Sequence, residues 1–414
     1  MSTAPGLVIV GGGLAGARAA EGARDAGFDG RLVIVAGEDA LPYIRPPLSK
    51  EFLNGGERAD ADVHPAEWYA EHRIEVMRGR RATAIDPGGH LVRLDDGEAI
   101  GYDRLLLATG AFPRAFRGPG ADLDGVHLLR TIDDSAALRD ALSPGGRRVV
   151  IVGAGWIGLE VASAARGYGN EVVVLGRETV PLNIAIGDSA GEVFGALHRE
   201  HGVDLRMETS VAGLVGEDGR VTGVELEGGE VVPADVVVIG IGAIPDTGLA
   251  DAAGLDVDNG ILTDAAFHTS AHDVFAVGDV ANVFHPVLGR RIRIEHWANA
   301  ENAGKAAGRS LAGEAVEYDE IPYFYTDQYD LGMEYSGYGV LADGIEPVFR
   351  GDRDGREFVA FWLADGRVVA GMNVNIWDVN ETVQRLIRSK VVVDPIRLAD
   401  TSVPLEEFVA EATA

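Results

Sequence analysis

Short, unbroken runs of apolar β-forming residues recur at equivalent places along the chain. The first is LVIV at 7–10 and its counterpart is VVIV at 149–152. Each lacks the polar alternation of a half-exposed strand, which predicts a strand covered on both faces. Each run leads straight into a glycine triplet and then a helical stretch, 14–26 after the first and 156–168 after the second. The duplication reaches further. Two alternating segments, RRATAIDPGGHLVRLDDG and VAGLVGEDGRVTGVELEGGEVVPAD, carry a strand period around DPGG, EDG and EGG turns and predict small antiparallel meanders. Each meander is followed by a buried-type strand ending in glycine, DRLLLATG at 103–110 and DVVVIGIG at 235–242.

Between the strand at 31–35 and the first meander lies LPYIRPPLSK, whose prolines interrupt any regular element and predict a loop. Further on, TSAHDVFAVGD at 269–279 predicts a short strand ending in Gly278 and Asp279. A carboxylate at such a strand end faces the crevice where open α/β sheets bind ligands. From Glu317 onward aromatics rise, alternating runs such as REFVAFWLADGRVVAGMNV follow, and a helix is expected at 380–389. The pattern reads as an α/β protein with two Rossmann-like dinucleotide-binding domains, an arrangement that resembles glutathione reductase, plus a C-terminal α+β domain.

The chemistry resides first in the glycines. Gly11, Gly13, Gly16 and Gly153, Gly155, Gly158 form two GxGxxG fingerprints 142 residues apart. In such a motif the first glycine permits a tight turn, the second lets the backbone approach a pyrophosphate, and the third lets helix and strand pack closely. In a chain with 56 glycines one match carries little weight. The strand before and the helix after both copies carry more, and two bound dinucleotides are expected.

Composition narrows the field. At 414 residues the chain suits two or three domains. It has no cysteine, which removes disulfides, thiolate metal sites and the dithiol chemistry of a disulfide reductase; no metal is expected. A formal charge of −29 argues against nucleic acid and membrane surfaces as partners. Without a signal-like N-terminus or a long apolar stretch, a cytoplasmic location is expected. Arg78, Arg80, Arg81 and Arg290, Arg291, Arg293 are candidate basic patches on this acidic body, or solvated loops.

The assembled motifs resemble the FAD-dependent NAD(P)H-ferredoxin reductases of bacterial oxygenase systems, over essentially the whole chain. The resemblance rests on GGGLAG (11–16), PYIRPPLSK (42–50), LLLATGAFPR (105–114), LRTIDD (129–134), VGAGWIGLEVA (152–162), VFAVGDVA (274–281), RIEHWANAENAGKAA (293–307) and PYFYTDQYD (322–330). It implies an FAD domain from 1–111 and 245–318, an NAD(P)H domain at 112–244 and a C-terminal domain at 319–414. The first fingerprint, with Leu14 and Ala15, would hold the FAD pyrophosphate and Glu38 the adenosine ribose. Arg45, Lys50, Ala82, Arg130, Asp279 and Trp297 are further implied FAD contacts, and Thr109, Gly110, Gly278, Glu295 and His296 are implied cofactor-binding residues. Lys50 would lie near the reactive flavin N5, where a fixed cation favours the reduced flavin. The second fingerprint, with Trp156, Ile157 and Gly242, would hold NAD(P)H. Glu160 would face the nicotinamide and pair with Lys50, and Lys50 and Glu160 are the implied catalytic residues. Trp297 and Tyr325 would flank the flavin ring, although the family pattern has Trp where this chain has Tyr325.

One departure bears on the nicotinamide. NADH-using members end the strand after the second fingerprint with a ribose-binding glutamate, whereas this chain has Gly176, then Arg177 and Glu178. Aligning VIVAGE (33–38) with VVVLGR (172–177) sets Arg177 opposite Glu38. Arg177 suits a 2′-phosphate and Glu178 suits ribose hydroxyls, so NADH and NADPH both stay open. The implied partner is a [2Fe-2S] ferredoxin feeding a cytochrome monooxygenase or a Rieske dioxygenase, with the protein a monomer or weak homodimer. The alternatives are a same-fold flavoprotein that reduces rubredoxin, quinone or oxygen, and a redox sensor like apoptosis-inducing factor.

Overall fold

Apolar runs lay down the central strands of two five-stranded parallel sheets. The computed structural model describes residues 6–413, which form two compact units. The first comprises the described residues up to Arg45, then Glu57–Phe112 and Ala243–Pro322. Its main sheet runs Val274–Ala276, Arg104–Leu107, Leu7–Val10, Leu32–Val35, Ile74–Met77. Leu7–Val10, Leu32–Val35 and most of Arg104–Leu107 are buried, as strands covered on both faces must be. From Leu7–Val10 the chain moves to one side and later returns on the other, which makes this strand's carboxyl end the point where the winding reverses.

The helix Leu14–Asp25 packs on Trp297–Ala312 with almost no side chain between the two backbones. A Cβ on Gly308 would stand 2.1 Å from the Ala19 carbonyl oxygen, and one on Gly304 2.8 Å from that of Ala15. Small residues on both helices are therefore a condition of this contact.

The second unit comprises Pro46–Gly56, Pro113–Gly242 and the described residues from Tyr323 onward. Its parallel sheet, Val203–Arg206, Glu171–Leu175, Arg148–Val152, Val236–Ile239, Val126–His127, repeats the first around Arg148–Val152. The expected meanders are three-stranded and antiparallel, Ala82–Asp86, Leu91–Leu94, Ala99–Gly101 in the first unit and Val211–Glu217, Arg220–Leu226, Val231–Pro233 in the second. The C-terminal stretch forms a five-stranded antiparallel sheet ordered Tyr323–Gln328, Leu331–Gly337, Arg367–Val374, Glu357–Ala364, Val348–Asp352. The helix Asn380–Ser389 packs on it through Val383, Leu386 and Ile387. Residues expected to form separate second and third domains thus share one unit with the proline loop. Among the described residues no helix is long and apolar enough to cross a membrane, and no group of three or more His, Asp or Glu could hold a metal ion.

Candidate active site

Both fingerprints end in a bare helix N-terminus. Gly11 has φ +128°, and a Cβ there would lie 2.0 Å from the Ala108 carbonyl oxygen; one on Gly16 would lie 2.2 Å from that of Gly11. Gly153 and Gly158 repeat this, each 2.2 Å from a carbonyl oxygen, of Gly240 and Gly153 respectively. The middle glycines differ. A Cβ on Gly13 or Gly155 meets no atom of the described residues within 4 Å. Each caps a helix of 12 residues with no side-chain cap and no acid in its first turn. Uncapped N–H groups and the positive helix end facing open space are what a pyrophosphate needs, so the residues present fit FAD at the first fingerprint and a nicotinamide dinucleotide at the second. Leu14 and Ala15 are buried at the start of the first helix, while Ile157 is 45% exposed at the start of the second. Beside it Trp156 sets its ring edge against Phe194 and Phe324.

Around the first cradle, Glu38 accepts from the Tyr43 hydroxyl at 2.5 Å and from Arg45 Nη2 at 3.2 Å. Gly278 has φ +78° and packs on Ala15, whose Cβ would be 3.0 Å from its own. Asp279 follows in a short 3₁₀ turn, with its charge felt by both Arg45 and His296. Burial pushes the His296 imidazole down to about 4 against the pull of Asp279, so the ring is neutral at pH 7. His296 and Trp297 open the Trp297–Ala312 helix, whose N-terminus has no side-chain cap either. Ala82 begins the first meander. Thr109 donates to the Asp246 carbonyl at 2.7 Å, and the Gly110 carbonyl accepts from the Asp246 N–H at 2.9 Å.

The second unit holds the implied catalytic pair. Lys50 Nζ donates to Glu160 Oε1 at 2.7 Å, with 10% and 4% of the two side chains exposed. Ser49, one residue earlier in the proline loop, donates to Glu160 Oε2 at 2.5 Å. Thr326 donates to Oε1 at 2.6 Å. Glu160 sits one turn into the Trp156–Gly167 helix, so the loop lysine is brought to the fingerprint helix. Lys50 also lies 5.7 Å from the centre of the Tyr325 ring, within cation–π range. Arg130 and Gly242 are in this unit too: the Arg130 N–H donates to Asp134 at 3.1 Å, and the Gly242 carbonyl accepts from the Arg114 N–H at 2.8 Å.

At the end of the strand Glu171–Leu175, Gly176 is buried, and a Cβ there would come within 2.5 Å of the Met207 methyl. Arg177 is exposed and, among the described residues, forms no ion pair. The arginine clusters are less free than a count of charges suggests. Arg80 pairs with Asp96, Arg291 donates to the Thr263 and Asn282 carbonyls, and Arg293 pairs with Glu295.

Sequence reading did not single out Ser49, Thr326, Gln328, His198 or Tyr43. Ser49 and Tyr43 lie within PYIRPPLSK, and Thr326 and Gln328 within PYFYTDQYD, two apart on a strand and hence on one face. Nothing in the sequence marks His198, because its partner is 130 residues away.

Residues 5–304 match the family described as pyridine nucleotide-disulphide oxidoreductase, and 323–409 match that described as reductase C-terminal. The chain is 42% identical to the anthranilate 1,2-dioxygenase system ferredoxin–NAD(+) reductase component of Burkholderia cepacia, over 99% of this chain and 100% of the relative. It is 36% identical to putidaredoxin reductase of Pseudomonas putida, over 100% and 99% of the two chains. Its structure matches that of the covalent putidaredoxin reductase–putidaredoxin complex with a TM-score of 0.94, 36% identity and 99% coverage of each chain. The chain belongs to the pyridine nucleotide-disulphide oxidoreductase family, among its FAD-dependent ferredoxin reductases with a reductase C-terminal domain.

Proposed function

We propose that this protein oxidises NADPH, and NADH less well, and passes the electrons one at a time to a [2Fe-2S] ferredoxin in the cytoplasm, which serves a cytochrome monooxygenase or a Rieske dioxygenase. FAD, when bound, supplies the hydride acceptor and the one-electron donor. The observation that carries the reading is the buried Lys50–Glu160 pair at the second bare helix N-terminus, in a chain with no cysteine for dithiol chemistry. Lys50 provides a fixed cation for the step in which hydride moves, and Glu160 holds that cation in place. Gly13 and Gly155 leave two helix ends free to bind pyrophosphate.

The preference for NADPH is supported by Arg177, exposed and free to meet a 2′-phosphate, and by Gly176, where a ribose-binding carboxylate would first have to displace the Met207 methyl. Cytochrome c reduction by the purified protein, with NADPH and NADH compared and a panel of [2Fe-2S] ferredoxins added, tests both parts. Strong stimulation by a ferredoxin is expected, with a lower KM for NADPH that rises about tenfold in Arg177→Ala. Flavin reduction without stimulation by any ferredoxin would overturn the acceptor, and an unchanged NADPH KM in Arg177→Ala would overturn the 2′-phosphate role.

A further inference from the structure

The polar contacts of Glu160 do not stop at Thr326. Gln328 donates through Nε2 to Thr326 Oγ1 at 3.3 Å, and its Oε1 lies 2.8 Å from His198 Nε2, on the helix Asn183–Glu200. Thr326, Gln328 and His198 are 1%, 1% and 0% exposed. They lie amid apolar residues that include Phe194, Leu197, Leu331 and Met333. Buried polar side chains are costly unless each finds a partner.

Proton positions along this row follow from its acceptor end. A carboxylate only accepts, so the Thr326 hydroxyl must donate to Glu160. Its oxygen then accepts from the Gln328 amide N–H. That turns the amide oxygen toward His198, which must carry its proton on Nε2. Among the described residues His198 Nδ1 has no hydrogen-bond partner, so no acceptor there calls for a second N–H. Every donor therefore points the same way, from His198 through Gln328 and Thr326 to the carboxylate that also holds Lys50.

We propose that Gln328 and His198 are positioning residues for the Lys50–Glu160 pair. His198 sets the Gln328 amide orientation, Gln328 sets the Thr326 hydroxyl, and the hydroxyl holds the Glu160 oxygen that Lys50 shares. The inference rests on the reading of that pair as hydride-transfer machinery. Without His198 the amide is free to turn over, the hydroxyl can donate to Gln328 instead, and the carboxylate then faces an oxygen lone pair.

The test uses the FAD-loaded full chain with Gln328→Met, His198→Phe, His198→Gln and Glu160→Gln. His198→Gln keeps an N–H at nearly the same reach. One readout is single-turnover flavin reduction against NAD(P)H concentration, which separates the limiting rate from half-saturation. The other needs no nicotinamide: the ¹⁵Nζ resonance of Lys50, assigned with Lys50→Met among only three lysines, Lys50, Lys305 and Lys390. Gln328→Met and His198→Phe are expected to lower the limiting rate about tenfold at unchanged half-saturation and to shift the Lys50 resonance. His198→Gln should restore both. If Gln328→Met fails to fold, the two His198 variants decide alone. Wild-type rate and Lys50 resonance in His198→Phe, with both altered in Glu160→Gln, would overturn the proposal. A wild-type rate in Glu160→Gln would instead overturn the reading of the pair, and the Lys50 resonance would still judge the positioning row.

Discussion

Lys50 Nζ and Glu160 Oε1 meet at 2.7 Å across 110 residues of sequence, and their surroundings are unequal. Without Lys50, the carboxylate keeps the Ser49 and Thr326 hydroxyls. Without Glu160, the ammonium keeps the face of Tyr325. Breaking a buried pair from one side costs about 3–5 kcal/mol, most of it the stranded charge. Glu160→Leu is therefore expected to destabilise by about 3 kcal/mol or more and Lys50→Met by less, as read from urea unfolding midpoints. The reverse order would show that Ser49 and Thr326 do not support the carboxylate.

The glycines of one fingerprint separate fold from ligand. Gly11→Ala forces a Cβ to 2.0 Å from the Ala108 oxygen at φ +128°, so the protein should fail to accumulate in folded form. Gly13→Ala meets open space at φ −88° and should fold, yet its methyl occupies the ground a pyrophosphate would take. Purified Gly13→Ala should have a wild-type far-UV spectrum and a much lower flavin content. Gly155→Ala should keep its flavin and show a raised KM for NAD(P)H. Full flavin in Gly13→Ala would argue against the first helix end as the FAD cradle.

Gly308→Ala improves local helix propensity by about 1 kcal/mol. Its Cβ would nonetheless lie 2.1 Å from the Ala19 oxygen, a backbone atom that cannot swing away. The two helices must part along their length, and a drop in Tm of several degrees is expected by calorimetry. A rise would mean that the helix contact is looser than these distances.

Acid should weaken the protein in two stages. Burial lowers the His198 imidazole from 6.5 to about 4, despite its hydrogen bond to Gln328, and lowers His296 likewise to about 4. Between those values the unfolded chain binds more protons, so stability is full above about pH 6.5 and is lost as pH falls toward 4. Glu21 acts lower down. Burial alone would raise its carboxyl, but hydrogen bonds from His64, Arg18 and Lys305 bring it from 4.5 to about 2. Its contribution is present above 4.5 and is lost as pH falls toward 2. A Tm profile from pH 8 to 3 should decline through the first window, less steeply in His198→Gln. A wild-type profile flat between pH 7 and 5 would contradict the buried neutral histidines.

Elements defined by near neighbours were legible from sequence. LVIV at 7–10, the glycine turns and the helices behind them depend on apolar runs, positive φ and close backbone approach, all local to a few residues. The helix expected at 380–389 is Asn380–Ser389 in the structure, because strong amphipathic periodicity needs no distant partner to declare itself. The proline loop was legible as a loop from its prolines, which preclude regular hydrogen bonding.

Its destination was legible only through the family resemblance, which implied that Lys50 pairs with Glu160. No spacing in the chain says so, and nothing in it says that Thr326, Gln328 and His198 continue the contact inward. Nor did counting arginines show that Arg291 would be consumed by the Thr263 and Asn282 carbonyls. Local propensity acts through bonds between residues a few positions apart, whereas a buried polar contact exists only once sheet and helix packing has excluded water around both partners. The glycine turns could thus be read before folding, and the buried hydrogen-bonded row beside the second one could be read only after it.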